Sequence, residues 1–253
     1  MITQGQAAIV TGAASGLGAA TARALAAARA RGAVRDMNMA AAEQVAREIG
    51  GIAVACDVAD AESAAAAIAT ARAAHGPVRI AVNCAGVCPA ARIVGKAGPM
   101  ALDDFERVVR INLIGTFNMM RLAAAEMTGL EPLAESERGV IVNTASIAAY
   151  EGQIGQSAYA ASKGGVVALT LPAAREFARS GIRVVAIAPG TFETPMMGAM
   201  PQEVKDALAA KTPYPPRLGR PDEFAALVLH VLGNVMLNGT VLRLDGALRM
   251  EPR

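Results

Sequence analysis

Aromatic residues are nearly missing from this chain. Its 253 residues include no Trp, 3 Tyr and 5 Phe, yet 53% are apolar. The core must therefore be built largely from Ala and aliphatic side chains, which suits close packing of helices on a sheet. Cysteine and histidine are scarce as well. Cys56, Cys84 and Cys88 are odd in number and contain no Cys-x-x-Cys pair, and His75 and His230 lie far from them. That pattern argues against a zinc site and a disulfide framework, so the expectation is reduced, partly buried thiols and no metal. An excess of either charge is also lacking. With 24 basic and 22 acidic residues the net charge is +2, too little for a broad nucleic-acid-binding surface. Charged residues interrupt every apolar run before about 18 residues, which excludes a membrane-spanning helix. The start, "MITQGQAAIVTG", has no basic cluster followed by an apolar stretch. A cytoplasmic protein is expected.

What is present is a regular alternation of strands and helices. The apolar "AAIVTG" (7–12) reads as a strand that runs into the glycine-rich "TGAASGLG" and then a helix. Gly12, Gly16 and Gly18 stand at the spacing G-x-x-x-G-x-G. The first serves a tight turn. The others let backbone and helix approach a pyrophosphate, which rests on the helix N-terminus. Ser15 can add a hydroxyl, and Leu17 begins the helix face. A second strand is expected near 31–35, ending at Asp36, where an acid can bind adenosine ribose hydroxyls and repel a 2′-phosphate. It is a poor strand by propensity, with Gly32 inside it and Arg35 beside the acid.

Further on, 40–49 reads as a helix and "GIAVACDV" as a third strand that leaves Asp57 and Val58 at its end. Asp57 is placed either to accept from an adenine amino group or to cap a helix or loop. "VRIAVNCAG" is a fourth strand leading to Asn83, Cys84, Ala85 and Gly86. A long helix is expected over about 102–127, with Asn112 near its middle. A polar Asn between Ile111 and Leu113 either satisfies a kink or binds a water. The segment 129–139 reads as a polar surface loop. "IRVVAIAPG" is a strand stopped by Pro189 and Gly190, and "TFETPMM", with Phe192 and Thr194, follows as a cover. Helices near 201–210 and 221–233 precede a last strand, "TVLRLDG". The pattern predicts an α/β fold, a Rossmann-type doubly wound parallel sheet of about seven strands, as one domain over 1–253.

The stretch 146–163, "SIAAYEGQIGQSAYAASK", follows the buried strand "GVIVNTAS" and opens a helix. It places Ser146 at a strand tip, with Tyr159 and Lys163 one helical turn apart and on one side. A cation about 4 Å from the phenol contributes roughly 4 kcal/mol at an effective dielectric of about 20, or up to about three pKa units. Tyr159 would then exchange a proton near neutral pH, as a general acid or base must.

Taken together, "TGAASGLG", "NCAG", Asn112, Ser146, "YAASK" and the Pro-Gly at 189–190 resemble the short-chain dehydrogenase/reductase family over nearly the whole chain. "NTASIAAYEGQIGQSAYAASKGGVVALTLP", "IAPGTFETP", "PPRLGRPDEFA" and the C-terminal "RLDGALRM" are similar to the branch that oxidises 3-hydroxyacyl-CoA thioesters. The resemblance implies NAD-dependent interconversion of a secondary alcohol and a ketone, (S)-3-hydroxyacyl-CoA to 3-oxoacyl-CoA. Other secondary alcohols such as steroids, NADPH-dependent reduction of a 3-oxoacyl thioester, and a non-catalytic nucleotide-binding scaffold are the rival readings. It also implies roles. Ser146 holds the substrate oxygen, Tyr159 takes its proton, Lys163 binds the nicotinamide ribose, and Asn112 supports a water relay. Gly12, Ser15, Gly16, Leu17, Gly18, Asp36, Asp57, Val58, Asn83, Cys84, Ala85 and Gly86 would line the NAD site. Pro189, Gly190, Phe192 and Thr194 would complete it, with Gln153 and Gln156 touching substrate. Basic residues such as Arg92 and Lys96 are placed to meet CoA phosphates. A homotetramer is expected, because the long Ala-rich helices carry apolar residues on more than one face.

Overall fold

The computed structural model describes residues 1, 3–198 and 201–252. Seven strands form one parallel sheet: β1 (Ala7–Thr11), β2 (Arg31–Asp36), β3 (Ile52–Ala55), β4 (Val78–Asn83), β7 (Gly139–Thr144), β8 (Ile182–Pro189) and β9 (Val241–Leu244). Two short strands, β5 (Val94–Gly95) and β6 (Gly98–Pro99), make a separate antiparallel hairpin absent from the sequence reading. The strand order is β3-β2-β1-β4-β7-β8-β9. The order reverses between β1 and β4, and ligands of open α/β sheets bind in the crevice beyond such a switch point.

One face of the sheet carries α1 (Gly16–Ala27), α2 (Met39–Ile49) and α9 (Pro221–Gly233), packed through Ala19, Ala22, Leu25, Val45, Phe224 and Val228. The other carries α3 (Ala61–His75), α5 (Gly115–Thr128) and α6 (Ser157–Phe177), packed through Ala67, Met119, Ala123, Met127 and Ala173. Alanine and methionine fill the space that aromatics would otherwise take, as the composition implied.

Three local findings differ from the sequence reading. The second strand forms fully, paired on both sides, with Arg35 in register between Thr11 and Val54. Gly32 packs against Ile49, whose Cδ1 would stand 2.9 Å from an added Cβ and would have to turn aside. Close packing outweighs weak strand propensity at this point. The long helix over 102–127 is interrupted. It consists of α4 (Leu102–Val109), a π-helical segment (Arg110–Ile114) and α5. Asn112 sits in that segment, and its side chain bonds Val87 and Ser162 rather than the segment's own backbone. The polar loop 129–139 contains a buried member, Glu137, whose carboxylate pairs with Arg183 at 2.7 Å. Among the described residues no helix is long and apolar enough to cross a membrane.

Candidate active site

A cavity of about 1450 Å³ opens beyond the C-terminal ends of β1, β4, β7 and β8. Its first wall is the turn between β1 and α1. Gly12 takes φ +64, and a Cβ on it would lie 2.7 Å from the Ala85 backbone nitrogen. A Cβ on Gly18 would lie 2.2 Å from the Gly12 carbonyl. The glycines therefore let the turn, the start of α1 and the β4 loop close on one another, leaving backbone N–H groups free to face an anion. Ser15, Gly16 and Leu17 line the same wall. Asp36 is fixed beside it, since its Oδ2 accepts from Ala14 N at 3.0 Å and its Oδ1 from Asn38 N at 3.0 Å. Asp57 and Val58 stand at the same end. Asp57 Oδ1 accepts from Ala59 N, and the cap of α3 is Asp60, so Asp57 is a loop residue.

The other end holds the residues of the central stretch. Ser146 follows β7, and its Oγ accepts from Ala148 N at 3.1 Å. Tyr159 lies in the first turn of α6 and Lys163 in the second. The Lys163 ammonium is 5.8 Å from the Tyr159 ring centre and donates to the Thr144 carbonyl at 2.6 Å. Cys84, Ala85, Gly86, Pro189, Gly190, Phe192 and Thr194 line the space between the two ends.

The electrostatics depart from the simple expectation. Burial pushes the Tyr159 phenol up to about 12, with the nearby Cys88 thiol acting the same way and the Ser146 hydroxyl against it. Burial also pulls Lys163 down to about 8, opposed by Cys84 and Cys88. A phenol poised near neutral pH is thus not a property of the bare cavity. The lysine is bound to the strand end, and loss of hydration is the largest influence on the phenol.

Asn112 and Asn83 stand apart from the cavity walls. Asn112 Oδ1 accepts from Val87 N at 2.8 Å, while its Nδ2 donates to Val87 O at 2.9 Å and Ser162 Oγ at 3.0 Å. Its backbone carbonyl accepts from Thr116 Oγ1 at 2.7 Å. It therefore fixes the loop behind Gly86 and buttresses α6. Asn83 lies inside the sheet, 3% exposed, with its Nδ2 bonded to Asn143 Oδ1 at 2.9 Å. The structure does not bring it to the cofactor wall, because its register pairs it with Thr11 and Asn143.

Gln153 and Gln156 do line the cavity. Gln153 Nε2 donates to the Glu251 carbonyl at 3.0 Å. Several wall residues had no local signature in the sequence. Val204, Leu208 and Lys211, on or just after α8 (Gln202–Ala210), cover the cavity together with Leu248, Met250 and Glu251 of the C-terminal segment. Lys211 is paired with Glu251 at 2.6 Å. Arg92 and Lys96 are exposed at the hairpin, and Arg92 lines a second cleft of about 430 Å³ that shares Gln153 and Gln156.

A Gly-rich turn at a helix N-terminus, a fixed carboxylate after β2 and a Ser-Tyr-Lys set on a single cavity define a dinucleotide-dependent oxidoreductase. The family model described as "short chain dehydrogenase" matches residues 6–205, and the chain belongs to that family. It is 48% identical over 253 residues to 3-hydroxyacyl-CoA dehydrogenase type-2 of Bos taurus, covering 98% of this chain and 97% of the relative. The Homo sapiens protein of that name is 47% identical with the same coverage. The crystal structure of 3-hydroxyacyl-CoA dehydrogenase type-2 from Mycobacterium avium superposes with a TM-score of 0.94 at 44% identity, covering 98% of both chains. The cofactor is a nicotinamide dinucleotide, and the turn, carboxylate and cavity described above fit one.

Proposed function

We propose that this protein is an NAD-dependent dehydrogenase that converts an (S)-3-hydroxyacyl-CoA to the 3-oxoacyl-CoA, and the reverse. The observation that carries the reading is the convergence of Ser146, Tyr159 and Lys163 on a cavity whose far end holds Gly12, Gly16, Gly18 and Asp36. The names of the relatives support the substrate class.

In this reading the Gly-rich turn holds the pyrophosphate, and Asp36 holds the adenosine ribose hydroxyls. Asp57, Val58 and the Cys84–Gly86 backbone flank the adenosine and nicotinamide halves, with Pro189, Gly190, Phe192 and Thr194 covering them. When bound, the nicotinamide supplies the carbon that accepts or gives the hydride and, in its oxidised form, a positive charge near the phenol. Lys163 holds the nearby ribose and adds a second cation. Ser146 hydrogen-bonds the substrate oxygen, and Tyr159 takes its proton on oxidation and returns it on reduction. Asn112 acts behind this set, through Val87 and Ser162. NAD is favoured over NADP because a 2′-phosphate beside Asp36 meets repulsion of roughly 1–4 kcal/mol.

A homotetramer is part of the same proposal. Ile114 and Phe117 at the π segment and α5, and Leu171 on α6, are large apolar residues left exposed on helices whose inner faces are already buried. Val235 and Met236 expose a second apolar patch beyond α9. A mass of one chain in light scattering at micromolar concentration would contradict it. A cytoplasmic setting is supported by Cys56, Cys84 and Cys88 standing as free thiols.

The test is a matrix of initial rates, acetoacetyl-CoA and a steroid ketone against NADH and NADPH. Turnover of acetoacetyl-CoA with NADH is expected to lead. Turnover of the free ketone without the thioester would replace the substrate class.

A further inference from the structure

The chain doubles back after β9. Gly246 and Ala247 both take positive φ, +58 and +67. A Cβ on Gly246 would lie 2.6 Å from Thr212 Cγ2. Ala247 sits in the left-handed region against its own Cβ, and its N–H donates to Asp245 Oδ1 at 3.0 Å. The turn lays the next residues along the cavity, where Leu248, Met250 and Glu251 form a wall. That wall is bonded to the turn 151–154, between Ser146 and Tyr159 in the chain. Met250 N donates to Glu151 Oε2 at 3.3 Å, Gln153 Nε2 to Glu251 O at 3.0 Å, and Ile154 N to Pro252 O at 3.0 Å.

One carboxylate joins these parts. Arg243 of β9 grips both oxygens of Glu151, with Nη1 at 2.7 Å and Nη2 at 3.1 Å. The same guanidinium donates to Asp245 Oδ2 at 2.6 Å and to the Leu248 carbonyl at 3.2 Å, and it lies 5.3 Å from the centre of the Tyr150 ring. Glu151 and Arg243 are partly buried, with side chains 21% and 25% exposed. A two-point pair of this kind fixes direction as well as distance, unlike a surface pair of two mobile side chains. Glu151 itself does not line the cavity. It stands behind the wall and ties it to β9 on one side and to the turn bearing Gln153 and Gln156 on the other.

We propose that Glu151 is a positioning residue for the substrate: its carboxylate holds residues 248–252 as a wall of the Tyr159 end of the cavity, and through that wall it sets the affinity for the acyl thioester. This rests on the reading of that end as the acyl-CoA site. Glu151 takes no part in the proton transfer and touches neither substrate nor cofactor. Its loss frees the wall, so Leu248 and Met250 no longer stand ready to bury apolar substrate atoms, and each binding event must order them first. The cofactor half of the cavity, at the Gly-rich turn and Asp36, is left as it was.

The test compares wild type, Glu151→Ala, Arg243→Met and the double variant in two measurements, with Glu151→Gln replacing Glu151→Ala if that variant does not fold. The first is backbone hydrogen exchange of residues 245–252 in the cofactor-free protein. Exchange there should be about tenfold faster or more in Glu151→Ala. The second is the kinetics of acetoacetyl-CoA reduction with NADH. Glu151→Ala should raise KM about tenfold, with kcat and the NADH dissociation constant within about threefold of wild type. Arg243→Met should act alike, and the double variant should add no more than about threefold in KM, since the two residues work through one contact. Unchanged exchange, or faster exchange with unchanged KM, overturns the proposal. A fall in kcat and NADH binding alongside KM also overturns it, because the role would then be support of the whole fold. If wild type does not turn over acetoacetyl-CoA, the substrate reading fails, and the exchange result still decides whether Glu151 holds the wall.

Discussion

The Lys163 ammonium is bound to the Thr144 carbonyl at 2.6 Å, and lies 5.8 Å from the centre of the Tyr159 ring. The lysine is thus anchored to the end of β7, with its charge beside the phenol ring. Burial decides the acidity of Tyr159 in the bare protein.

The first prediction follows. The cofactor-free protein should show no tyrosinate absorbance from Tyr159 below about pH 11, because its folded pKa is pushed up to about 12. The measurement is the ultraviolet difference between wild type and Tyr159→Phe across a pH titration. A Tyr159 signal complete by pH 9 would contradict it. The linkage has a definite sign. A tyrosine whose pKa is raised on folding stabilises the fold fully below its ordinary value near 10. That contribution is lost as pH climbs from about 10 through 12. Thermal stability should fall across that window less steeply in Tyr159→Phe than in wild type.

Arg29 carries the second prediction. It follows α1 with φ +62, in the left-handed region where a side chain is strained. Arg29→Gly removes that strain and should stabilise by about 1 kcal/mol, raising Tm by about 2–4 °C in a chain of this size. Calorimetry showing no gain, or a loss, would mean that the Arg29 side chain makes a compensating interaction.

Asn112 carries the third. Asn112→Ala strips partners from Val87 N, Val87 O and Ser162 Oγ. Leaving such groups unpaired should cost about 3 kcal/mol, seen as a lower denaturation midpoint. Because it fixes the loop behind Gly86, cofactor binding should weaken too. A variant with wild-type stability would show that the loop finds other partners.

Much of this was legible in the sequence, for physical reasons that differ from place to place. The alternating β-branched runs and glycine-ended helices gave the parallel sheet, because burial on both faces leaves continuous apolar strands. The Gly-rich turn and the Tyr-Lys pair were readable because each is a local spacing. Asn83 was set on the cofactor wall by its place at a strand end, whereas its side chain is buried and bonded to Asn143 across the neighbouring strand. The burial that raises the Tyr159 phenol had no local mark, because burial is a tertiary property. Lys211 and Glu251, 40 residues apart, had no local mark to join them. Gly32 looked like a flaw in β2 until its packing against Ile49 was visible.

The most direct test of the account is Tyr159→Phe, assayed side by side with Lys163→Ala for NADH binding and for turnover of acetoacetyl-CoA. The phenylalanine keeps the ring and removes only the hydroxyl. NADH binding should stay within about threefold of wild type, while turnover falls by about 10²–10⁴, the loss expected when a general acid or base is removed. Lys163→Ala should lower both, since it removes a ribose contact and a cation from the cavity. Tyr159→Phe turning over at a rate near wild type, with an unchanged pH profile, would contradict the assignment of the proton to Tyr159.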